Sequence, residues 1–240
     1  RPVDALTAAQ ESDLFRQAEM NDEAIALYET AITLAPEDPQ YREYLGEFRH
    51  LLNQKDEALA VWREIAVGDR RSAVNLARLA EVLNRFSYPE EAADTVAEAA
   101  ALDARDLSLQ LQAAEYHTQA KRYDDALKYV AVAGQLSQTE DEADIVLNQK
   151  IETLQAADRL DTETTALFSR LQSEPDAPAA DWHVLARYYE ADREWADATR
   201  AIRQALDKKP DSIPALTTAA RIGARSGDLG RASELYLNLA

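Results

Sequence analysis

Residues 179–212, AADWHVLARYYEADREWADATRAIRQALDKKPDS, read as two short helices folded against each other. Trp182, Leu185, Ala186, Tyr188 and Tyr189 recur at helical spacing and place one apolar face on the first. Asp192-Arg193-Glu194 interrupts, and Ala198, Ile202 and Ala205 restart the three-and-four rhythm of a second amphipathic helix. Pro210 ends it. A helix pair this short cannot cover its own apolar faces, so it needs copies stacked above and below.

Copies run the length of the chain. Steps of 34 or 38 residues from Ala198 reach Thr164, Ala126, Ala92, Ala58 and Ala24 backwards, and a step of 34 reaches Ala232 forwards. Four residues beyond these stand Tyr28, Trp62, Val96, Val130, Phe168, Ile202 and Tyr236, and three further on Ala31, Ile65, Ala99, Ala133, Leu171, Ala205 and Leu239. In the preceding helix Leu14, Phe48, Val82, Tyr116, Leu154, Tyr188 and Ile222 keep one phase. Ser12, Gly46, Ala80, Ala114, Ala186 and Ala220 mark a small position there, with Glu152 its exception. A register held through seven copies is the mark of a helical repeat, each copy a helix A and a helix B.

Trp182-x-x-Leu185-Ala186-x-x-Tyr189, followed by Ala198, Ile202, Ala205 and Pro210, resembles the tetratricopeptide repeat, as do Leu45-Gly46 and Pro36 in earlier copies. The resemblance covers roughly 5–240 and takes its specificity from repetition. It implies an all-α, right-handed superhelical solenoid of about seven repeats, forming a single array over 1–240. The copies fall at about 5–38, 39–72, 73–106, 107–144, 145–178, 179–212 and a truncated 213–240. The start without methionine and the end inside a helix B read as a fragment of a longer protein. Leu235, Leu237 and Leu239 then leave apolar surface at an uncapped end, which makes the chain a monomer or a weak end-to-end dimer.

Irregularities punctuate the array. Asp38-Pro39 starts the second copy, and Pro89 suits the first turn of a helix B. Gly68 stops the second copy where proline is expected. The four extra residues fall in the acidic run 138–144, about one helical turn, so the fifth helix A starts a turn early. Thr164 and Glu152 at close-approach positions predict looser packing between the fourth and fifth copies. A bulky residue at Ala92 or Ala126 is expected to overpack its hairpin.

Composition excludes several classes of function. Six glycines and eight prolines, mostly at helix junctions, leave no room for a sheet-rich fold. There is no cysteine, hence no disulfide framework or cysteine metal site. Twenty-six basic against 44 acidic residues give −18, a surface that repels nucleic acid and stays soluble. No apolar run is long enough to span a membrane, and no signal peptide opens the chain, so a soluble, cytoplasmic protein is favoured slightly over an exported one.

No catalytic or cofactor constellation appears. His50, His117 and His183 stand far apart without companion ligands. Gly227-Asp228-Leu229-Gly230 lacks the strand and the Gly-Lys-Ser/Thr of a phosphate loop. Trp62, Trp182 and Trp195 occupy packing positions. Neither metal nor cofactor is expected, and the chain reads as a non-catalytic scaffold for a protein or peptide partner.

The resemblance further implies a concave groove lined by one stripe of each helix A. Laid on this sequence, the stripe takes in Asp13, Gln17, Glu43, Tyr44, Glu47, Arg78, Glu81, Gln112 and Glu115 in the first four copies. In the last three it takes in Gln149, Lys150, His183, Arg187, Arg221 and Arg225. One half leans acidic and the other basic, which would orient an extended peptide or partner helix. Two rival readings are a targeting arm of a larger enzyme and an architectural, self-assembling subunit of a secretion or envelope complex.

Overall fold

The computed structural model describes residues 4–227. Its contacts divide into two compact units, Arg1–Tyr116 and His117–Ala240. Among the described residues there are thirteen α-helices and no strand. None is long and apolar enough to cross a membrane.

The first unit contains α1 (Ala5–Gln17), α2 (Asn21–Leu34), α3 (Gln40–Leu51), α4 (Lys55–Arg63), α5 (Ala73–Arg85) and α6 (Pro89–Leu102). α7 (Leu107–Gln119) follows. The second unit contains α8 (Tyr123–Leu136), α9 (Glu140–Ala156), α10 (Leu160–Ser173), α11 (Ala179–Ala191), α12 (Trp195–Lys208) and α13 (Ile213–Ser226). Ala232, Tyr236, the three terminal leucines and Asp228-Leu229-Gly230 lie outside the described residues.

The small residues sit where helix backbones meet. Ala24, Ala58, Ala92, Ala126 and Ala198 are wholly buried, as are Ser12, Ala80, Ala114, Ala186 and Ala220 in the facing helices. In the first hairpin the Ser12 hydroxyl donates to the Ala24 carbonyl at 2.8 Å, so even this polar group is satisfied inside the crossing. Gly46 has a stricter reason: a Cβ there would stand 2.2 Å from Trp62 Nε1. Trp62, fully buried, fills that space, stacks on Phe86 at 4.7 Å and donates its indole N–H to the Glu43 carbonyl at 3.3 Å. Trp182 and Trp195 are only half-buried.

Every helix A ends in the left-handed region. Glu19, Asn53, Ser87, Lys121, Asp158, Arg193 and Gly227 all have positive φ, and only the last is glycine. The bonds around Lys121 show the pattern: its N–H donates to Thr118 O at 3.0 Å, and the next N–H, of Arg122, to His117 O at 2.8 Å. This wraps the chain back over the last turn and aims it antiparallel into helix B.

These turns act as a ruler. The small residues of helix A stand seven positions before them, from Ser12 before Glu19 to Ala220 before Gly227. In the fifth copy the residue seven before Asp158 is Ile151, and it is buried, whereas Glu152 is exposed. The small-position assignment at Glu152 is therefore off by one. Three of the four extra residues enter α9, whose 17 residues start an extra turn early, and one enters after Asp158. That early start is held by a reciprocal cap: Thr139 Oγ1 accepts from Glu142 N at 3.1 Å, and the Glu142 carboxylate accepts from Thr139 N at 3.2 Å.

The loosening falls elsewhere than expected. α8 packs on α9 much as α2 does on α3, while α9 and α10 approach each other far less closely than α1 and α2, α3 and α4, α5 and α6, or α11 and α12. Ile151 and Thr164 occupy the fifth crossing, where two alanines meet in the sixth, and their bulk holds the helices apart. Phe168, next on α10, is left 36% exposed instead of buried. Leu14 on α1 is also exposed, against its expected packing phase.

Other local signals follow chain chemistry. Asp38 accepts from the Gln40 N–H at 2.9 Å, Pro89 opens α6, and α4 breaks into 3-10 turns around Gly68, whose φ is +62°.

Candidate partner-binding face

In the first unit, α1, α2 and α3 enclose a recess of about 320 Å³. Asp13 and Glu47 supply carboxylates to it, and Tyr28, Tyr41 and Tyr44 supply aromatic walls. Tyr28 is buried, and its hydroxyl donates to Asp13 Oδ1 at 2.7 Å. Burial, then that bond to a carboxylate, pushes the phenol up to about 12, so it stays protonated and holds Asp13 in place. Arg16 stands 3.4 Å from Asp13 across a turn of α1. Tyr44 keeps 39% of its surface exposed, lies 6.3 Å from Tyr28 between ring centres, and accepts a hydrogen bond from Gln40 at 2.5 Å. Carboxylates and aromatic faces are the groups that attract a cation, by charge and by cation–π contact, and here Arg16, also on the recess wall, already stands beside Asp13.

Further along the same unit, Glu43 is largely buried and accepts a hydrogen bond from Arg78, while exposed Glu81 pairs with Arg85 at 2.9 Å. Glu81 and Arg78 border a second recess of about 330 Å³, with Asp103, Asp106 and Gln112 on its walls. Glu115 is exposed on α7, and Gln17 on α1. The structure thus brings Asp13, Tyr44 and Glu47 into one recess, and binds Glu43 and Glu81 to arginines. Tyr28 and Tyr41 belong to the recess but not to the groove stripe read from sequence. Both occupy core positions, and only the three-dimensional packing shows that their hydroxyl ends reach an open face.

The second unit corrects the expectation of a basic half. Arg187 is 8% exposed and bonds to Asp144 Oδ1 at 2.5 Å, to Asn148, and to Glu190 Oε2 at 3.3 Å. Glu190, also buried, accepts two parallel bonds from Arg221 at 2.5 and 2.8 Å and has Arg225 at 3.5 Å. Arg187 and Arg221 are thus matched by the partly exposed Asp144 and the buried Glu190, which is the condition for burying such charges, while Arg225 stays largely exposed beside Glu190. Arg187 cannot offer its charge to a partner without giving up Asp144, which would leave Glu190 to Arg221 and Arg225. Lys150 lies 5.7 Å from the ring centre of Tyr188, and Gln149 reaches Thr153 at 3.5 Å.

The histidines are packed groups. His50 lies among Trp62, Phe86 and Tyr88, and His117 is buried against Tyr129 at 5.1 Å. His183 Nε2 is 2.9 Å from Thr218 Oγ1, and burial, followed by the charge of Arg187, pulls its pKa to about 4. Among the described residues no cluster of three metal-ligating side chains occurs.

Antiparallel helix pairs, each turned by a left-handed residue and crossed through small side chains at steps near 34, decide the architecture. The fold is tetratricopeptide-like. No family model matches the chain, and no curated protein does. Among solved structures it is similar to a tetratricopeptide repeat protein from Parabacteroides merdae, with 12% identity over 98% of this chain and 91% of that one and a TM-score of 0.47. MamA from Desulfovibrio magneticus RS-1, residues 41 to the end, shares 20% identity over 72% and 94%, with a TM-score of 0.37. PilF of Pseudomonas aeruginosa shares 18% over 84% and 90%, with a TM-score of 0.41.

Proposed function

We propose that this tetratricopeptide-like chain is a non-catalytic interaction scaffold whose first unit binds a basic segment of a protein partner. The observation that carries the reading is the recess in which Asp13 and Glu47 face the rings of Tyr28, Tyr41 and Tyr44. A lysine or arginine side chain fits it, its stem along the rings and its charge at the carboxylates. Further along the same unit Glu43 and Glu81 are paired with Arg78 and Arg85, so an extended basic peptide lying in the groove would compete with those arginines for them. The net charge of −18 supports a cationic partner and disfavours nucleic acid.

The test is binding of the 240-residue chain to an array of lysine- and arginine-containing peptides, read at rising salt. Binding should weaken with salt and fall sharply in a Glu47→Lys variant of unchanged melting temperature. Equal retention of basic and acidic peptides, or indifference to Glu47→Lys, would overturn it.

A further inference from the structure

The extra turn of α9 borders a cavity in the second unit. Its residues form one wall of an open-mouthed pocket of about 190 Å³, bordered on the other sides by the start of α11, the end of α12 and the start of α13. Leu147, Val184, Ala205, Pro214 and Ala215 make its interior apolar. An apolar cavity of about 150 Å³ is large enough to hold benzene, so this one holds a single bulky side chain. His183 forms part of the wall, and with its pKa pulled to about 4 it is neutral at physiological pH.

The rim has a distinct charge. Glu140 and Lys209, 69 residues apart, pair across it, both about half exposed. Of the four carboxylates on the extra turn, Glu140 and Asp144 line the cavity; Asp144 is held by Arg187 and Glu142 by the helix cap, which leaves Glu140, shared with Lys209, and the neighbouring exposed Asp141 to give the rim its sign. A segment entering the cavity therefore meets an apolar interior behind an acidic rim.

We propose that this cavity is a second partner site, taking one leucine-like side chain of a partner segment that carries lysine or arginine beside it. The apolar residue displaces no hydrogen-bonded group. The flanking cation competes with Lys209 for Glu140 and reaches Asp141. The site is separate from the recess of Asp13 and Glu47 and does not depend on it.

The test uses the 240-residue chain and a short fluorescent peptide with one leucine among lysines, read by anisotropy. Two variants report on the site: Ala180→Trp, which plugs the cavity from its edge, and Glu140→Lys, which reverses the rim. Each should keep the parent melting temperature and weaken binding at least about tenfold, about 1.4 kcal/mol. Replacing the peptide's leucine by serine should do the same, while Glu47→Lys should leave this leucine-dependent component unchanged. Binding that ignores both the leucine and Ala180→Trp would overturn the proposal. So would a cavity that takes toluene, seen by chemical-shift changes at Val184 and Leu147, but not the peptide.

Discussion

The fifth and sixth hairpins have nearly the same length and lie side by side in sequence, yet they are built by opposite means. In the sixth, Ala186 and Ala198 let α11 and α12 approach backbone to backbone. In the fifth, Ile151 and Thr164 hold α9 and α10 apart, and the apolar contacts run instead from Leu147, Ile151, Leu154 and Leu160 to Tyr188 on α11. The sixth hairpin has a close crossing of its own as well as packing on its neighbours, whereas the fifth relies more on its neighbour. Small residues at the crossing thus decide whether a repeat is cohesive within itself or only within the stack.

The largest test of this comparison cuts the tie between α11 and its neighbours. Glu190→Ala removes one of the two carboxylates that hold the buried Arg187, leaving it Asp144 alone, and takes away the bidentate partner of Arg221; it should cost about 3 kcal/mol or more by urea unfolding. Glu190→Gln, which keeps the shape, should cost less. If Glu190→Ala unfolds at the parent midpoint, the network does not secure the sixth hairpin.

Next comes pH. The His183 pKa lies at about 4 in the folded chain, below the ordinary 6.5, through burial first and Arg187 second. The unfolded chain therefore takes up the proton first as pH falls. Stability is full above about pH 6.5 and declines towards pH 4, by up to about 3 kcal/mol. The difference between the parent and His183→Asn unfolding curves across that range isolates this contribution, and parallel curves would refute it.

A smaller contrast lies at the crossings themselves. Ala198→Leu should overpack the sixth hairpin by about 1–3 kcal/mol, a fall in melting temperature of about 2–4 °C per kcal/mol. Thr164→Leu, in the already separated fifth, should cost distinctly less. Equal losses would mean that crossing distance is not what separates the two hairpins.

The smallest effect is a gain. Asp158 and Arg193 hold left-handed backbone that glycine adopts without strain, with φ of 56° and 60°. Asp158→Gly and Arg193→Gly should each raise stability by about 1 kcal/mol or less, offset in part by glycine's greater freedom when unfolded. A loss in both would show that these side chains, rather than the backbone, hold the turns.

Much of this was legible in the sequence, for physical reasons that also mark where legibility ends. Helix B was readable because a backbone crossing tolerates little beyond alanine, so Ala24, Ala58, Ala92, Ala126 and Ala198 keep time. The fifth helix A was read one residue out because its insertion is divided between α9 and the turn, and an isoleucine at a crossing looks like any core residue. The left-handed turns were invisible because six of seven carry ordinary residues such as Glu19 and Lys121 in place of glycine. At the candidate site, the groove geometry implied by the tetratricopeptide resemblance pointed to Asp13, Tyr44 and Glu47, which the structure brings into one recess. The buried ion pairs of Arg187 and Arg221 were not, since their partners lie 43 and 31 residues away in sequence and composition records charge without pairing.

The seating of Trp62 against Gly46 has a spectroscopic consequence. Trp62 is the one tryptophan of the first unit and is sealed from water, whereas Trp182 and Trp195, in the second, are partly wetted. Indole emission therefore carries two colours, a blue component from one unit and a redder one from the other. Following both through a denaturant series shows whether the units melt together or one before the other, without any added label.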